Sequence, residues 1–349
     1  MHDFSLLIAN WYRQNGRNLP WRNTKNPYYI WLSEIILQQT RVTQGLPYYK
    51  KFISAFPTVE DLATSDEQKV LNLWQGLGYY SRARNLHFAA KQIVDEHNGV
   101  FPSDYKSIKA LKGIGDYTAA AIASFAFQLP HAVVDGNVYR VLSRYFNDPT
   151  PIDSTTGKKV FAAYAAELLP KNEPDTFNQA IMELGALVCT PKNPDCENCP
   201  VSANCIAREK KTYTTLPVKE KKTKVTKKYF HFLYSSSTTN IPLVKRTGKG
   251  IWQNMYQFPL IETKTAGSLN QIKKEALSKW GMKISDKKPI QQYDHKLSHQ
   301  HIKVSFWKVD VEKKTDEITE KVTIDDLQNY PLPRVITRFL EDYEASYEK

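Results

Sequence analysis

Cysteine is scarce in this sequence: there are four among 349 residues, and Cys189, Cys196, Cys199 and Cys205 all fall in one short segment. A disulfide framework spreads its cysteines to tie distant segments together, so this clustering argues against one. It points instead to a metal or cluster site in a reducing compartment. Long apolar runs are missing too. No stretch approaches the length of a membrane span, and the start, Met1-His-Asp-Phe, has no basic region followed by an apolar core. Neither a membrane span nor a secretory signal is therefore expected, and the cytoplasm is the expected location. Negative charge is in deficit, with 48 Lys and Arg against 36 Asp and Glu, for a net charge of +12. Such an excess favours a polyanionic partner, nucleic acid before a membrane surface. What is present suffices for two folded domains, since 41% of residues are apolar and 12% aromatic.

The first two hundred residues show little period-two alternation and read as helix after helix. Phe4, Leu6, Leu7, Ile8, Trp11 and Tyr12 form one helical face. Residues 30–39 read as a short helix apolar on nearly all sides, with Glu34 in its middle, and such a helix belongs in the interior. Further helices are expected over 58–63, 67–74, 81–97, 103–111, 118–128, 137–146, 155–169 and 174–188. Residues 208–228 carry nine basic residues against two acidic ones in poorly periodic sequence. They read as a basic linker, either a solvated tether or a segment that touches nucleic acid. From residue 229 the pattern turns β-like: 229–234 and 241–244 flank a turn-like stretch, and Ile302, Val304 and Phe306 alternate with polar residues. Helices are expected at 268–280 and 334–343. The chain thus divides into a mainly α domain over 1–207, the linker, and a smaller α+β domain over 229–349. There is no internal repeat.

Three constellations could carry chemistry. In Leu111-Lys-Gly-Ile-Gly-Asp-Tyr-Thr118, Gly113 and Gly115 allow positive φ and close approach of a partner just before an apolar helix. This reads as a helix–hairpin–helix connection, either plain or offering N–H groups to a phosphate. The spacing Cys-x6-Cys-x2-Cys-x5-Cys gives four thiolates for a [4Fe–4S] cluster or a Zn²⁺ ion. Only one Cys-x2-Cys knuckle is present, which favours the cluster. The third is a pair of carboxylates. Burial should raise the pKa of Glu34, whereas Asp135, placed as an N-cap, should be lowered by helix N–H groups. Each alone reads as a structural acid or a plain cap. Together, with environments pushing them apart, they match glycosidic bond cleavage. Gln38-Gln39-Thr40-Arg41 and the run from Gly76 through Tyr79 and Arg82 to Arg84 place amides, tyrosines and arginines at helix ends, where they can fill a base stack and hold phosphates. Trp21, Tyr48 and Tyr49 read as core aromatics.

With these residues in view, 1–210 resembles the helix–hairpin–helix DNA glycosylase superfamily, whose iron–sulfur branch ends in the same four-cysteine loop. Within that branch the chain resembles the adenine DNA glycosylase family. The resemblance rests on Pro20-Trp21-Arg22, Trp31-Leu32-Ser33-Glu34-Ile35-Ile36-Leu37-Gln38-Gln39-Thr40, Leu73-Trp74-Gln75-Gly76-Leu77-Gly78-Tyr79-Tyr80, Val134-Asp135-Gly136-Asn137-Val138 and Phe177-Asn178-Gln179-Ala180. It implies a base-excision repair enzyme, a monomer, that binds duplex DNA and removes adenine mispaired with 8-oxoguanine or guanine. Carried over, Glu34 protonates the leaving base and then activates water, and Asp135 stabilises the oxocarbenium ion. Tyr117 and Asn137 help position the site, Gln39 and Tyr79 wedge the duplex, Trp21 and Arg22 line the adenine pocket, and Arg82 with the Gly113/Gly115 hairpin contacts DNA. Endonuclease III relatives, which form the alternative as pyrimidine-lesion glycosylase/lyases, place a Schiff-base lysine where this chain has Tyr117. Tyrosine cannot form an imine, so a monofunctional glycosylase is implied, although Lys106, Lys109 and Lys112 are nearby. Gly250-Ile251-Trp252 with Phe258-Pro259 resembles the family's Nudix-like lesion-checking domain. Residues 271–281 lack its Mg²⁺-binding acids, which argues against pyrophosphate hydrolysis. In the lesion-reading loop Ser298 and His299 match the family, and Leu297 replaces an aromatic residue.

Overall fold

The computed structural model describes residues 2–220, 225–235, 237, 239–313, 315 and 317–347. Part of the basic linker, 221–224, thus lies outside the described residues. Helices follow in order: α1 His2–Asn15, α2 Pro27–Ile36, α3 Val42–Ala55, α4 Val59–Thr64, α5 Glu67–Leu73, α6 Ser81–His97, α7 Tyr105–Ala110, α8 Asp116–Phe127, α9 Gly136–Tyr145, α10 Thr155–Leu168, α11 Pro174–Leu187 and α12 Ile206–Glu209. Among the described residues no helix is long and apolar enough to cross a membrane.

Contacts group the chain into two units, Met1–Thr64 with Asn85–Lys222, and Ser65–Arg84 with Thr223–Lys349. The boundary read from the sequence at 207/208 cuts the chain differently, because the stretch holding α5 and Tyr79 packs with the C-terminal part. Asn254 Nδ2 donates to Glu67 Oε1 at 2.7 Å, and Arg84 Nη1 donates to the Gln253 carbonyl at 2.9 Å. The helical periodicity of α5 carries no information about which core receives its apolar face.

Within the helical unit, α2 is buried on every side, as its composition requires. Asn26 caps it through Tyr28 N–H, Pro27 opens it, and Ile30, Trp31, Leu32 and Ile36 are sealed from solvent. It runs over 27–36 rather than 30–39, leaving Gln38 and Gln39 beyond its end. Helix α3 escapes the sequence reading altogether because Gly45 and Pro47 lie inside it. Pro47 lacks the N–H of one ladder hydrogen bond, and Gly45 is buried where a Cβ would stand 2.7 Å from Leu37 Cδ2, a side-chain end that would have to shift. A second core layer joins α1, α9, α10 and α11 through Phe4, Ile8, Leu142, Phe161, Phe177 and Leu184.

The C-terminal unit is built on a sheet in the order β4-β1-β7-β5, with β6 also on β7: β1 Thr226–Ser235, β4 Leu260–Thr263, β5 Met282–Ile284, β6 Gln291–Lys296 and β7 Gln300–Val311. Helix α13, Leu269–Trp280, covers one face through Ile272, Ala276 and Trp280 against Leu233 and Trp307. On the other face Phe306 stacks on Phe339 of α14, Arg334–Tyr347, with ring centroids 4.0 Å apart. The two strands expected around residues 235–240 form but do not pair with each other. β1 pairs in parallel with β7, and β2, Ile241–Lys245, joins β3, Tyr256–Gln257, and β8, Glu320–Val322.

Candidate active site

Three helices of the helical unit bring their functional side chains to one cavity of about 720 Å³. Glu34 comes from the last turn of α2. Tyr117 comes from the first turn of α8, and its phenol donates to Glu34 Oε2 at 2.7 Å. Asp135 caps α9: its Oδ1 accepts from Asn137 N and Val138 N, both at 2.8 Å, and its Oδ2 accepts from Asn137 Nδ2 at 2.9 Å. Arg140 Nη2 in turn donates to Asn137 Oδ1 at 2.8 Å, which fixes the orientation of that amide. Trp21 and Arg22 line the same cavity, and no lysine is among its described lining residues.

Burial raises both acids, which is not the separation the sequence suggests. Burial is the main cause that pushes Glu34 up to about 7, opposed by the Tyr117 hydrogen bond and assisted by the charge of Asp135. Asp135 was expected below the ordinary carboxylate range. It is instead raised, because desolvation outweighs its N–H donors and Arg140. The capping geometry is as expected; the depth at which the cap is buried is not legible from residue type. Asp135 has three donors to its carboxylate and Glu34 one. Tyr117 is raised well above 10, chiefly by burial, and stays a neutral hydrogen-bond donor.

Sequence reasoning missed the polar wall opposite. Glu183, on α11 and 1% exposed, accepts from Arg17 Nε and Nη2 and from Arg22 Nη2, each at 2.7 Å. Burial pushes its carboxyl up, but the two guanidinium groups override this and hold it at about 2. Gln179 lies one turn earlier on the same helix face, and Tyr12 Oη donates to its Oε1 at 2.6 Å. The signal available was the spacing of four between Gln179 and Glu183.

The DNA-contacting candidates fall into both units. Gly113 takes φ +80°, as expected, whereas Gly115 is extended at φ −94° and caps α8. A Cβ on Gly115 would meet nothing within 4 Å. Gln39 and Tyr79, the two proposed wedges, both adopt left-handed backbone, at φ 57° and 49°. This conformation is costly for residues with a Cβ and concentrates at functional sites. In the C-terminal unit Tyr79, Ser298 and His299 line a cavity of about 530 Å³ with Leu297, and the Tyr79 and Ser298 hydroxyls are hydrogen-bonded. Arg82 stacks over Trp74 and Tyr79, 5.1 and 5.6 Å from the ring centroids.

All four cysteines are free and half-buried, and they line one small cavity with Val188 and Arg144. Arg144 Nη1 donates to Cys189 Sγ at 3.3 Å and to the Thr190 carbonyl at 2.8 Å. Among the described residues no group of three or more His, Cys, Asp or Glu side chains is gathered tightly enough to hold a metal ion.

Comparison with known proteins agrees with this architecture. Residues 32–166 match the model of the HhH-GPD superfamily of base excision DNA repair proteins, and residues 231–342 match a NUDIX domain. The adenine DNA glycosylase of Buchnera aphidicola subsp. Schizaphis graminum is 41% identical over 301 residues, covering 85% of this chain and 84% of the relative. That of Buchnera aphidicola subsp. Acyrthosiphon pisum is 33% identical and covers 98% of both. The Homo sapiens adenine DNA glycosylase is 42% identical over 58% of this chain, which spans 39% of that longer protein. Among solved structures, a thermostable thymine-DNA glycosylase superposes with a TM-score of 0.55 at 31% identity, covering 59% of this chain and 95% of its own. The chain belongs to the adenine DNA glycosylase family and is a DNA glycosylase of base excision repair.

Proposed function

We propose that the chain, acting as a monomer in the cytoplasm, removes adenine mispaired with 8-oxoguanine or guanine in duplex DNA and leaves the strand intact. The observation that carries the reading is Glu34: a buried carboxyl held near 7, hydrogen-bonded to Tyr117, in one cavity with Asp135. At neutral pH part of Glu34 is protonated and can give its proton to a ring nitrogen of the extruded adenine as the glycosidic bond breaks. The Asp135 carboxylate faces the positive charge that develops on the sugar. Glu34, now anionic, takes a proton from the water that adds at C1′. Tyr117 keeps Glu34 oriented through both states, and Asn137 does the same for Asp135. Trp21 and Arg22 bound the base, with Arg22 fixed by Glu183.

The hairpin Gly113–Gly115 and the start of α8 would hold phosphates. The openness around Gly115, where neither backbone nor packing requires glycine, supports this. The strained backbone at Gln39 and Tyr79 supports their role as wedges. In the C-terminal unit Ser298 and His299 would read the base opposite adenine, with Tyr79 on the same cavity. Leu297 supplies less stacking there than an aromatic residue.

Cys189, Cys196, Cys199 and Cys205 would hold a [4Fe–4S] cluster. The four thiols share one small cavity, and the single Cys-x2-Cys knuckle suits a cluster better than one Zn²⁺ ion. Bound there, the cluster supplies a rigid cross-link of the loop. Purified protein should carry about four iron and four sulfide per chain; one zinc and no sulfide would refute the assignment.

Strand chemistry is tested on a duplex with adenine opposite 8-oxoguanine. Breaks are expected only after alkali, because Tyr117 cannot form an imine and no lysine lines the cavity among the described residues. Breaks without alkali would establish lyase chemistry instead.

A further inference from the structure

The loop proposed to read the base opposite adenine ends on a third polar residue, Gln300. The loop closes the hairpin of β6 and β7 as a two-residue turn: Leu297 N donates to the Gln300 carbonyl at 2.7 Å, and Lys296 pairs with His301 across the strands. It is also tied to the neighbouring strand, because Thr226 N donates to the His299 carbonyl at 3.1 Å. Gln300 therefore leaves from the anchored base of the turn. It lines the same cavity of about 530 Å³ as Ser298 and His299. Leu77, Ile251, Trp252 and Leu297 supply apolar wall there, which suits a flat heteroaromatic ring.

The polar groups of that cavity differ in kind. Lys296, Arg84 and Arg334 can only donate. Ser298 and Tyr79 have their hydroxyls hydrogen-bonded to each other. Gln300 Oε1 is shielded from water and meets no hydrogen-bond donor among the described residues. A carbonyl oxygen closed off in this way is unfavourable as it stands, and it gives up no bond when a donor arrives. The two candidate bases differ in that same respect. Guanine has a lone pair at N7 and a hydrogen at C8, whereas 8-oxoguanine has a donor, N7–H, beside an acceptor, C8=O. A carboxamide offers the matching pair, an acceptor and a donor side by side.

We infer that Gln300 is a specificity-determining residue, its Oε1 accepting from N7–H of 8-oxoguanine and its Nε2 donating to O8. Guanine satisfies only one half of that amide: with Nε2 turned to N7, Oε1 is left facing C8–H. The inference rests on the proposed role of this cavity in reading the base opposite adenine, and it adds the group that tells the oxidised base from the ordinary one.

The test uses the full chain and duplexes carrying uncleavable 2′-fluoro-2′-deoxyadenosine opposite 8-oxoguanine, guanine or 8-bromoguanine. Bromine fills the O8 position without giving N7 a hydrogen. The parent should bind the 8-oxoguanine duplex more tightly than either of the others. Gln300→Leu should narrow the gap between 8-oxoguanine and guanine about tenfold, the scale of one bidentate amide contact. Gln300→Glu keeps the shape but sets an acceptor against O8, so it should narrow the gap at least as far. An unchanged gap in either folded variant overturns the inference. So does 8-bromoguanine bound as tightly as 8-oxoguanine, an arm that needs only the parent chain. The two readings fail separately. A parent that does not prefer 8-oxoguanine to guanine overturns the proposed lesion reading along with this contact; a preference that survives both substitutions overturns the Gln300 contact alone.

Discussion

Glu34→Gln is expected to abolish adenine release, by about a thousandfold or more, while duplex binding persists and the protein becomes more stable above neutral pH. The three outcomes have one cause. Glutamine keeps the shape and can still accept from the Tyr117 phenol, so the cavity is retained, but it has no proton to give. The stability change follows from the raised carboxyl. Glu34 stands at 4.5 in its ordinary state and about 7 when folded. Between those values the native state binds more protons than the unfolded chain, so stability falls as pH rises through that window. The stabilisation is fully present below about 4.5 and lost above 7; the loss amounts to roughly 3 kcal/mol at pH 8. Glutamine removes that penalty. The thermal midpoint of the variant should exceed the parent's by several degrees at pH 8 and match it near pH 4.5. A variant that loses activity and also melts lower at pH 8 would mark Glu34 as a structural acid.

Asp135→Asn is the second large effect, a loss of about a thousandfold in single-turnover release. Asparagine caps helices as well as aspartate does, so α9 should keep its start and the variant its fold. What disappears is the anion facing the sugar. Locally the substitution sets an amide against Asn137 Nδ2, which cannot simply turn over because Arg140 holds the other end of that side chain at 2.8 Å. The residual activity carries a second signature. The charge of Asp135 is one of the causes raising Glu34, so its removal should move the alkaline limb of the rate profile to lower pH. An unchanged rate would show Asp135 to be a cap and nothing more.

Much of this site is legible before any coordinates. The all-apolar character of α2 says that Glu34 is buried, and burial alone fixes the direction of its shift. Val133 and Val134 followed by Asp135 and an amphipathic run say that Asp135 is a cap. What residue type cannot convey is how deep a cap lies, and the sign of the Asp135 shift turns on that depth. Glu183 illustrates a different limit. Its three short contacts reach Arg17 and Arg22, more than 160 positions away in sequence, and long-range ion pairs leave no periodic trace. Helix α3 is hidden by Gly45 and Pro47, whose local preferences the fold overrides. The grouping of residues 65–84 with the C-terminal unit was hidden because a helix pattern does not name the core that receives it.

Glu34 acts from its neutral form, and this is the step on which adenine release depends. The most direct measurement is single-turnover release of adenine from a duplex with adenine opposite 8-oxoguanine, followed from pH 5 to 9. The predicted profile is level up to about 7 and then falls about tenfold per pH unit, with the limb absent in Glu34→Gln. A rate that stays level through pH 9, or a Glu34→Gln variant as fast as the parent, would contradict it.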